Sequence, residues 1–174
     1  MNYKFHNYLS KVASTTDVGN GAYDIGSGTT DRFNNIWAIT FNGTSTQSQY
    51  ADLAEKYICG EKDISKGTVM SMSSIDGVDV EICYEENSAL VVGVISEKPG
   101  NLMNSDCKDG QAVGLVGKLP VRIIGPIRKS DPIVSSGNGC ARAMYSPAEL
   151  IYKIGYATET NMNSGEKLVE CIIK

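Results

Sequence analysis

Residue types that carry catalysis or bind metals are sparse in this sequence. His6 is the single histidine, and a Cys–His or Ser–His–Asp arrangement would have to recruit it. The tetrapeptide SKGT at 65–68 has the residues of a phosphate-binding loop in the wrong order, and Asp106 and Asp109 lack EF-hand spacing. We therefore predict no catalytic residues, no cofactor-binding residues and no metal site.

The cysteines are widely spaced and form no CxxC pair, which argues against a zinc ribbon or a thioredoxin motif. We interpret them as small buried hydrophobic residues. The alternative is that one of the five forms a disulfide between subunits. They are Cys59, Cys83, Cys107, Cys140 and Cys171.

Two Ser-Asp junctions, Ser105-Asp106 and Ser130-Asp131, are places where self-cleavage by a neighbouring nucleophile is chemically conceivable. The bond between Asp131 and Pro132 is also of the acid-labile kind. Ser, Asp and Gly are common in turns without any such activity, so the turn interpretation is favoured.

Composition places the chain among ordinary folded proteins. It has 174 residues, 41% hydrophobic and 21% charged, with a net charge of −4 that disfavours nucleic-acid binding. Residues 1–10 contain no apolar signal segment, and the longest apolar run, Ala89–Ile95, is too short to cross a bilayer. We expect assembly in a cytoplasm, no membrane partner and no cofactor.

Local patterns predict an all-β fold, a small β-barrel or β-clip-like module, with one or two short helices. A helix is predicted at Gln49–Tyr57, where apolar residues recur at i, i+3, i+4 and i+7. A second is predicted at Pro147–Leu150, because Ser146 and Glu149 have capping-box spacing.

Alternating and continuous apolar runs predict the strands. Asp76-Gly77 indicates a hairpin, the run at 89–95 indicates a strand buried on both faces, and Pro120 indicates an edge or a bulge. The predicted strands are Thr68–Met72, Val78–Cys83, Ala89–Ile95, Ala112–Val116, Leu119–Ile124, Pro132–Ser135, Lys153–Ala157 and Lys167–Ile173.

The N-terminal part differs in composition from the rest. Residues 1–45 are predicted to be an extended arm for attachment or subunit contact, and residues 46–174 a β-rich module. The stretch from Asp17 to Thr30 is rich in glycine and small polar residues, so it buries little apolar area by itself. Five larger side chains are the predicted partner-docking residues: Tyr23, Phe33, Ile36, Trp37 and Phe41.

Several strings of the sequence resemble a C-terminal module of bacteriophage tail fibres and appendages. They are YADLAEKY at 50–57, VVGVISEKPGNLMNS at 91–105, VGLVGKLPVRIIGPIRKSDPIVSSGNGCARA at 113–143 and, upstream, DIGSGTTDRFNNIWAITFNGTSTQSQYADLAE at 24–55. The resemblance implies a virion structural protein without catalysis. The chain is short for a complete tail fibre, so a capsid decoration protein or a short head or tail fibre or spike component is expected.

We expect a homotrimer, found in the virion and bound to capsid or tail proteins. One alternative is a fibre tip that binds a host surface glycan, with Tyr145, Tyr152 and Tyr156 as candidate contacts, although these tyrosines fit the edge of the core better. Another alternative is an autoproteolytic intramolecular chaperone domain.

Overall fold

The computed structural model describes residues 51–174 of the chain. This part contains one 3-10 helix, Pro147–Tyr152, and is otherwise built from strands and their connections. The strands are β1 (Ala51–Ile58), β2 (Val69–Met72), β3 (Val80–Ile82), β4 (Val91–Ile95), β5 (Asn101–Met103), β6 (Gly110–Ile123), β7 (Pro132–Gly137), β8 (Cys140–Ala143), β9 (Gly155–Ala157) and β10 (Lys167–Ile173).

Five of these strands close into a barrel, which confirms the predicted all-β, barrel-like fold. Strand β6 pairs with β10, β10 with β9, β9 with β7, and β7 with β8. The ring closes where β8 returns to β6 in parallel, at Ile123 and Ala141. Because the sheet closes on itself, the backbone groups of these strands find partners within the ring.

The other strands extend the sheet from β6. Its first half pairs with β4, and β4 continues through β2 to β3. Strand β1 also pairs with β6, over eight residues, and holds β5 in parallel on its other side. The long strand β6 is therefore the element that joins the barrel to this extension.

Apolar side chains fill two clusters. The cluster inside the barrel is fully buried and includes Val121, Ile123, Ile133 and Val169. The cluster in the extension consists of Met70, Val80, Ile95 and Val113. In β10 alternating residues point inward, as the sequence pattern predicted for Lys167–Ile173, and Val169, Cys171 and Ile173 are buried.

The prediction of a helix at Gln49–Tyr57 is wrong for the residues that the structure describes, because residues 51–58 form β1. The apolar positions fit a helical repeat, but the buried residues Asp52 and Ala54 are two positions apart, which is the spacing of a strand. Strand β1 lies between β5 and β6 and forms main-chain hydrogen bonds on both sides. Those pairings are distant in sequence, and they outweigh the local preference for a helix.

The prediction of separate strands Ala112–Val116 and Leu119–Ile124 is also wrong, because both belong to β6. Pro120 lies opposite Glu170 of β10 without interrupting the strand. Two residues later, the Arg122 N–H donates to the Gly67 carbonyl, away from β10. Pro120 has the same orientation, so the N–H that it lacks would have pointed away from β10 and no bond to that strand is lost.

The second helix is present, but as a 3-10 helix, and the predicted capping box is wrong. The Ser146 side chain makes no capping hydrogen bond. The Glu149 carboxylate instead accepts a hydrogen bond from the Tyr145 N–H at 2.8 Å and binds Arg142. Glu149 points away from the start of the helix because its carboxylate offsets the charge of the buried Arg142 guanidinium.

The hairpin predicted from Asp76-Gly77 is confirmed, since β2 and β3 pair antiparallel and Gly77 has a φ of 81°. The apolar run at 89–95 is buried only in its second half, because Leu90 is 57% exposed. Sequence patterns missed β5 and β8, which have three and four residues and no clear alternation.

Candidate interaction sites

The predicted docking residues of the arm lie outside the described residues. These are Tyr23, Phe33, Ile36, Trp37 and Phe41, and His6 lies outside them as well. The boundary between an arm and a module at residue 45 likewise stays a prediction. Within residues 51–174, the surface offers other places at which a partner can bind.

Three large apolar side chains on the surface surround one cavity of about 310 Å³. Met72 is 54% exposed, Tyr84 is 60% exposed and Leu90 is 57% exposed. The end of β2 and the residues before β4 bring two of them together, since the Met72 N–H donates to the Leu90 carbonyl at 2.9 Å. We call Met72, Tyr84 and Leu90 the apolar patch.

The rim of the apolar patch is polar and acidic. Glu81 and Glu85 line the same cavity, together with serine hydroxyls. The Tyr84 hydroxyl donates to Glu61 Oε1 at 2.8 Å, and this hydrogen bond to a carboxylate raises the pKa of Tyr84. An apolar centre within a polar rim is the usual composition of a protein–protein contact.

A buried arginine fixes the segments on one side of the barrel. Arg142 of β8 is 4% exposed, and its Nε and Nη2 donate to Glu86 Oε1 at 2.8 and 2.6 Å. Its Nη1 donates to Glu149 at 3.0 Å and to the Ala143 carbonyl at 3.0 Å. The hydrogen bond from Arg142 is the main cause that lowers the pKa of Glu149. Opposite charges thus offset the burial of the guanidinium.

The three tyrosines proposed as glycan contacts lie in different surroundings. Tyr145 is 76% exposed, and the centroid of its ring lies 3.8 Å from the Arg142 guanidinium carbon. Tyr152 is half-buried at the end of the 3-10 helix. Tyr156 is half-buried on β9, where its hydroxyl accepts a hydrogen bond from Lys153 Nζ at 3.0 Å. The structure therefore does not join all three into one aromatic surface.

A larger open groove, of about 890 Å³, runs beside β1, β6 and β10. Two of its three cations are paired with carboxylates, since Lys66 binds Glu97 at 3.3 Å and Arg122 binds Glu166 at 2.8 Å. Lys56 donates to the Cys107 carbonyl at 3.2 Å, which does not offset its charge. The charged side chains that line the groove therefore carry a single positive charge in excess.

The five cysteines carry free thiols, of which Cys83, Cys140 and Cys171 are buried. Burial raises the pKa of Cys171 to about 12 and also raises the pKa of Cys140. The Cys140 and Cys171 thiols therefore stay protonated at neutral pH and are poor nucleophiles. That agrees with the interpretation of the buried cysteines as small hydrophobic residues.

The two Ser-Asp junctions lie in exposed turns. Ser130 has a φ of 75°, which is uncommon for a residue with a side chain, and the Asp131 carboxylate accepts a hydrogen bond from the Arg128 N–H at 2.8 Å. The Asp131 N–H also donates to the Arg128 carbonyl at 3.0 Å, which closes a four-residue β-turn. Ser105 and Asp106 are also exposed, in the turn between β5 and β6.

Residues 51–174 contain no group of three or more His, Cys, Asp or Glu side chains arranged to hold a metal ion. No helix in the same part of the chain has the length and apolarity needed to span a membrane.

The sequence matches no protein-family profile and no curated protein. Among solved structures, the chain is similar to the pre-mature bacteriophage phi29 gene product 12, with a TM-score of 0.57 and 16% identity over 83% of this chain and 24% of that chain. It thus spans about a quarter of that protein. The C-terminal fragment of the same gene product gives a TM-score of 0.50 and 15% identity, over 71% of this chain and 100% of the fragment. The head fibre gp8.5 N base of phi29 gives a TM-score of 0.40 and 19% identity, over 71% of this chain and 90% of that chain. At these identities the similarity to gene product 12 concerns the fold.

Proposed function

We propose that this protein is a structural component of a bacteriophage particle that acts by docking and oligomerisation, without catalysis. The observation that carries the proposal is the shared fold with the gene product 12 fragment of phage phi29, whose whole length is matched by 71% of this chain. The sequence resemblance to phage appendage modules, which rests on motifs and not on the fold, supports the same conclusion. Within that class we propose a capsid decoration protein, or a short head or tail fibre or spike component.

The apolar patch is the surface through which we propose that copies associate. Three side chains of hydrophobic type, each more than half exposed, surround a cavity that a partner's side chain can enter. Exposed aromatic and aliphatic groups around a pocket are typical of the centre of an interface. Closed rotational symmetry is the usual result when copies of one chain associate, and a homotrimer is proposed here.

Residues 1–45 are proposed to be the attachment segment, with Tyr23, Phe33, Ile36, Trp37 and Phe41 as its anchors to other virion proteins. In a glycine-rich segment, such side chains are the main source of apolar contact area. Deleting residues 1–30 is expected to leave the β-rich module folded, as judged by circular dichroism, but unable to join the particle. A truncated chain that assembles at normal copy number would overturn this role for the arm.

Light scattering on the purified full chain tests the proposed association. The expected mass at micromolar concentration is a threefold multiple of 18.7 kDa, with a Tm that falls on dilution because association stabilises the folded state. A monomer with a dilution-independent Tm would contradict the proposal. Intact mass spectrometry separates it from the self-cleaving chaperone, which would lose part of the sequence mass.

A further inference from the structure

The 3-10 helix exposes apolar side chains and turns its one charged side chain inward. Leu150 is 53% exposed and Ile151 is 78% exposed, and no residue of the helix is buried. The side chain of Glu149 is only 16% exposed and binds Arg142 at 3.0 Å. A helix that faces water normally has the opposite arrangement, with its charged residues outside and its apolar residues inside. We call Leu150 and Ile151 the helix surface, and an exposed apolar surface of this kind is typical of a contact with another protein.

The helix surface and the apolar patch lie next to each other on the protein. Ser88 lines the cavity of the patch and also a second cavity of about 150 Å³, whose wall includes Ile151. The buried Arg142 binds Glu149 of the helix and Glu86 of the connection that carries part of the patch. One guanidinium therefore holds both surfaces and fixes their relative orientation before any partner binds, which lowers the entropic cost of association.

The charges beside the two surfaces are of opposite sign. Glu81 and Glu85 line the cavity of the patch, and no basic side chain of residues 51–174 lines it with them. Lys153 follows the helix, lines the second cavity and takes part in none of the ion pairs of the same part of the chain. Lys174 lines that cavity too, but it carries the terminal carboxylate beside its ammonium group, so we count no net charge for it. An acidic surface and a basic surface attract each other when two copies of the chain meet.

A threefold ring needs two different contact surfaces on each chain. Its contacts are heterologous, because each copy meets one neighbour with one surface and the other neighbour with a second surface. The centres of the three copies form an equilateral triangle, so the directions from one copy to its two neighbours differ by about 60°. The two surfaces must therefore lie on adjacent sides of the chain, as the apolar patch and the helix surface do.

We propose that the apolar patch of one copy binds the helix surface of the next copy around a threefold ring. In each contact Ile151 enters the cavity of the patch, which has a volume of about 310 Å³, and Lys153 lies opposite Glu85. This inference rests on the trimer proposed above. It names the surface that the patch contacts, which a trimer by itself leaves open.

Sedimentation equilibrium on the full chain tests the helix surface through Ile151→Asp. This variant is expected to be a monomer at a concentration at which the parent is a trimer, because every contact of the ring contains the substituted residue. Met162→Asp is the matched control, since Met162 is 56% exposed and lines neither cavity, and it should stay a trimer. A trimeric Ile151→Asp beside a trimeric parent would overturn the helix surface and leave association through the patch standing. A monomeric parent would overturn both proposals.

Charge reversal tests whether the two surfaces face each other. An exposed ion pair changes the strength of one contact by up to about fivefold, and a ring has three contacts, so Lys153→Glu should raise the dissociation constant of the trimer by roughly tenfold to a hundredfold. Glu85→Lys should have a similar effect. The double variant K153E/E85K should recover the parent's constant, because each contact then pairs the same two charges in reverse.

Recovery in the double variant also separates a direct contact from a folding defect, since a second substitution on another surface would not repair a chain that fails to fold. Circular dichroism of each variant provides the same check. A double variant as weak as the single variants would overturn the pairing of the helix surface with the patch, even where Ile151→Asp is monomeric. Single variants with the parent's dissociation constant would overturn it as well.

Discussion

The barrel interior and the apolar patch contain similar residue types, but water reaches only the second. Ile133 and Val169 in the barrel are 0% exposed, whereas Met72 and Leu90 in the patch are 54% and 57% exposed. Burying aliphatic area contributes to the free energy of folding, so the interior contributes to stability and the patch does not. Apolar area that the folded chain leaves in water is available for association.

The two regions also differ in whether their polar groups bond within the protein or face solvent. Inside, the charged Arg142 donates to two carboxylates and a carbonyl, and these bonds link β8 to the segments before β4 and after β8. At the patch, Glu81 and Glu85 face solvent around the cavity. A substitution inside should therefore change stability, and one at the patch should change association.

The largest effect is expected for Arg142→Ala, which leaves Glu86 and Glu149 without their cation. The two carboxylates left behind are 58% and 16% exposed, so the loss comes from the hydrogen bonds of the guanidinium, each of which contributes roughly 1.5–3 kcal/mol when it joins charged groups. Urea unfolding measures the difference. The exposed Arg128 offers a control, since Arg128→Ala is expected to change stability by about 0.5 kcal/mol or less. A loss below about 1 kcal/mol for Arg142→Ala would show that the network is not structural.

Ile133→Ala is expected to be the next most destabilising, by roughly 2–5 kcal/mol, because it opens a cavity in the barrel. Leu90→Ala removes a comparable side chain from the surface and should cost about 0.5 kcal/mol or less in the same unfolding experiment. Similar losses in the free energy of unfolding for the two variants would contradict the distinction between the barrel interior and the apolar patch.

The pH dependence of stability reports on Glu149. The Arg142 hydrogen bond holds the pKa of the folded-state carboxyl below its ordinary value of 4.5. The resulting stabilisation is fully present above that ordinary value and is lost as the pH falls through the lowered folded pKa. We expect Tm to fall on acidification below pH 4.5, and Glu149→Gln to flatten that fall. An identical slope in Glu149→Gln and the parent would contradict the assignment.

The smallest effect is expected for a substitution of Asp52, which is a polar residue buried inside the protein. Its side chain is 5% exposed, and Oδ1 accepts a hydrogen bond from the Gly100 N–H at 3.2 Å. Its buried Oδ2 has no hydrogen-bond partner among the described residues. Asp52→Asn removes a charge from this site and should stabilise the fold by about 1 kcal/mol or less. Destabilisation in chemical unfolding would show that the carboxylate is needed.

Local sequence patterns predicted the strands whose residues alternate cleanly. Lys167–Ile173 has the predicted bounds, and the β2–β3 hairpin follows from Asp76-Gly77. The same method failed at β1, because Leu53, Ala54 and Tyr57 fit a helical repeat and the strand's partners lie about fifty residues away. Pairing between distant segments has no local signature.

The apolar patch was not predictable for a related reason. Met72 ends β2, whereas Tyr84 and Leu90 lie in the connection between β3 and β4, and only the pairing of β2 with β3 and β4 brings the three together. Arg142 and its carboxylate partner Glu86 are also 56 residues apart. Sequence reasoning placed the docking residues in the arm instead, and that assignment stays a prediction.

Sedimentation equilibrium on Leu90→Asp and Met162→Asp tests most directly whether the chain acts by association through its surface. The two residues are 57% and 56% exposed, so both substitutions should leave the fold intact, and only Leu90 lines the cavity of the patch. We predict a trimer for the parent and for Met162→Asp, and an 18.7 kDa monomer for Leu90→Asp at the same concentration. A monomeric parent, or a Leu90→Asp variant of the parent's mass, would contradict the proposal.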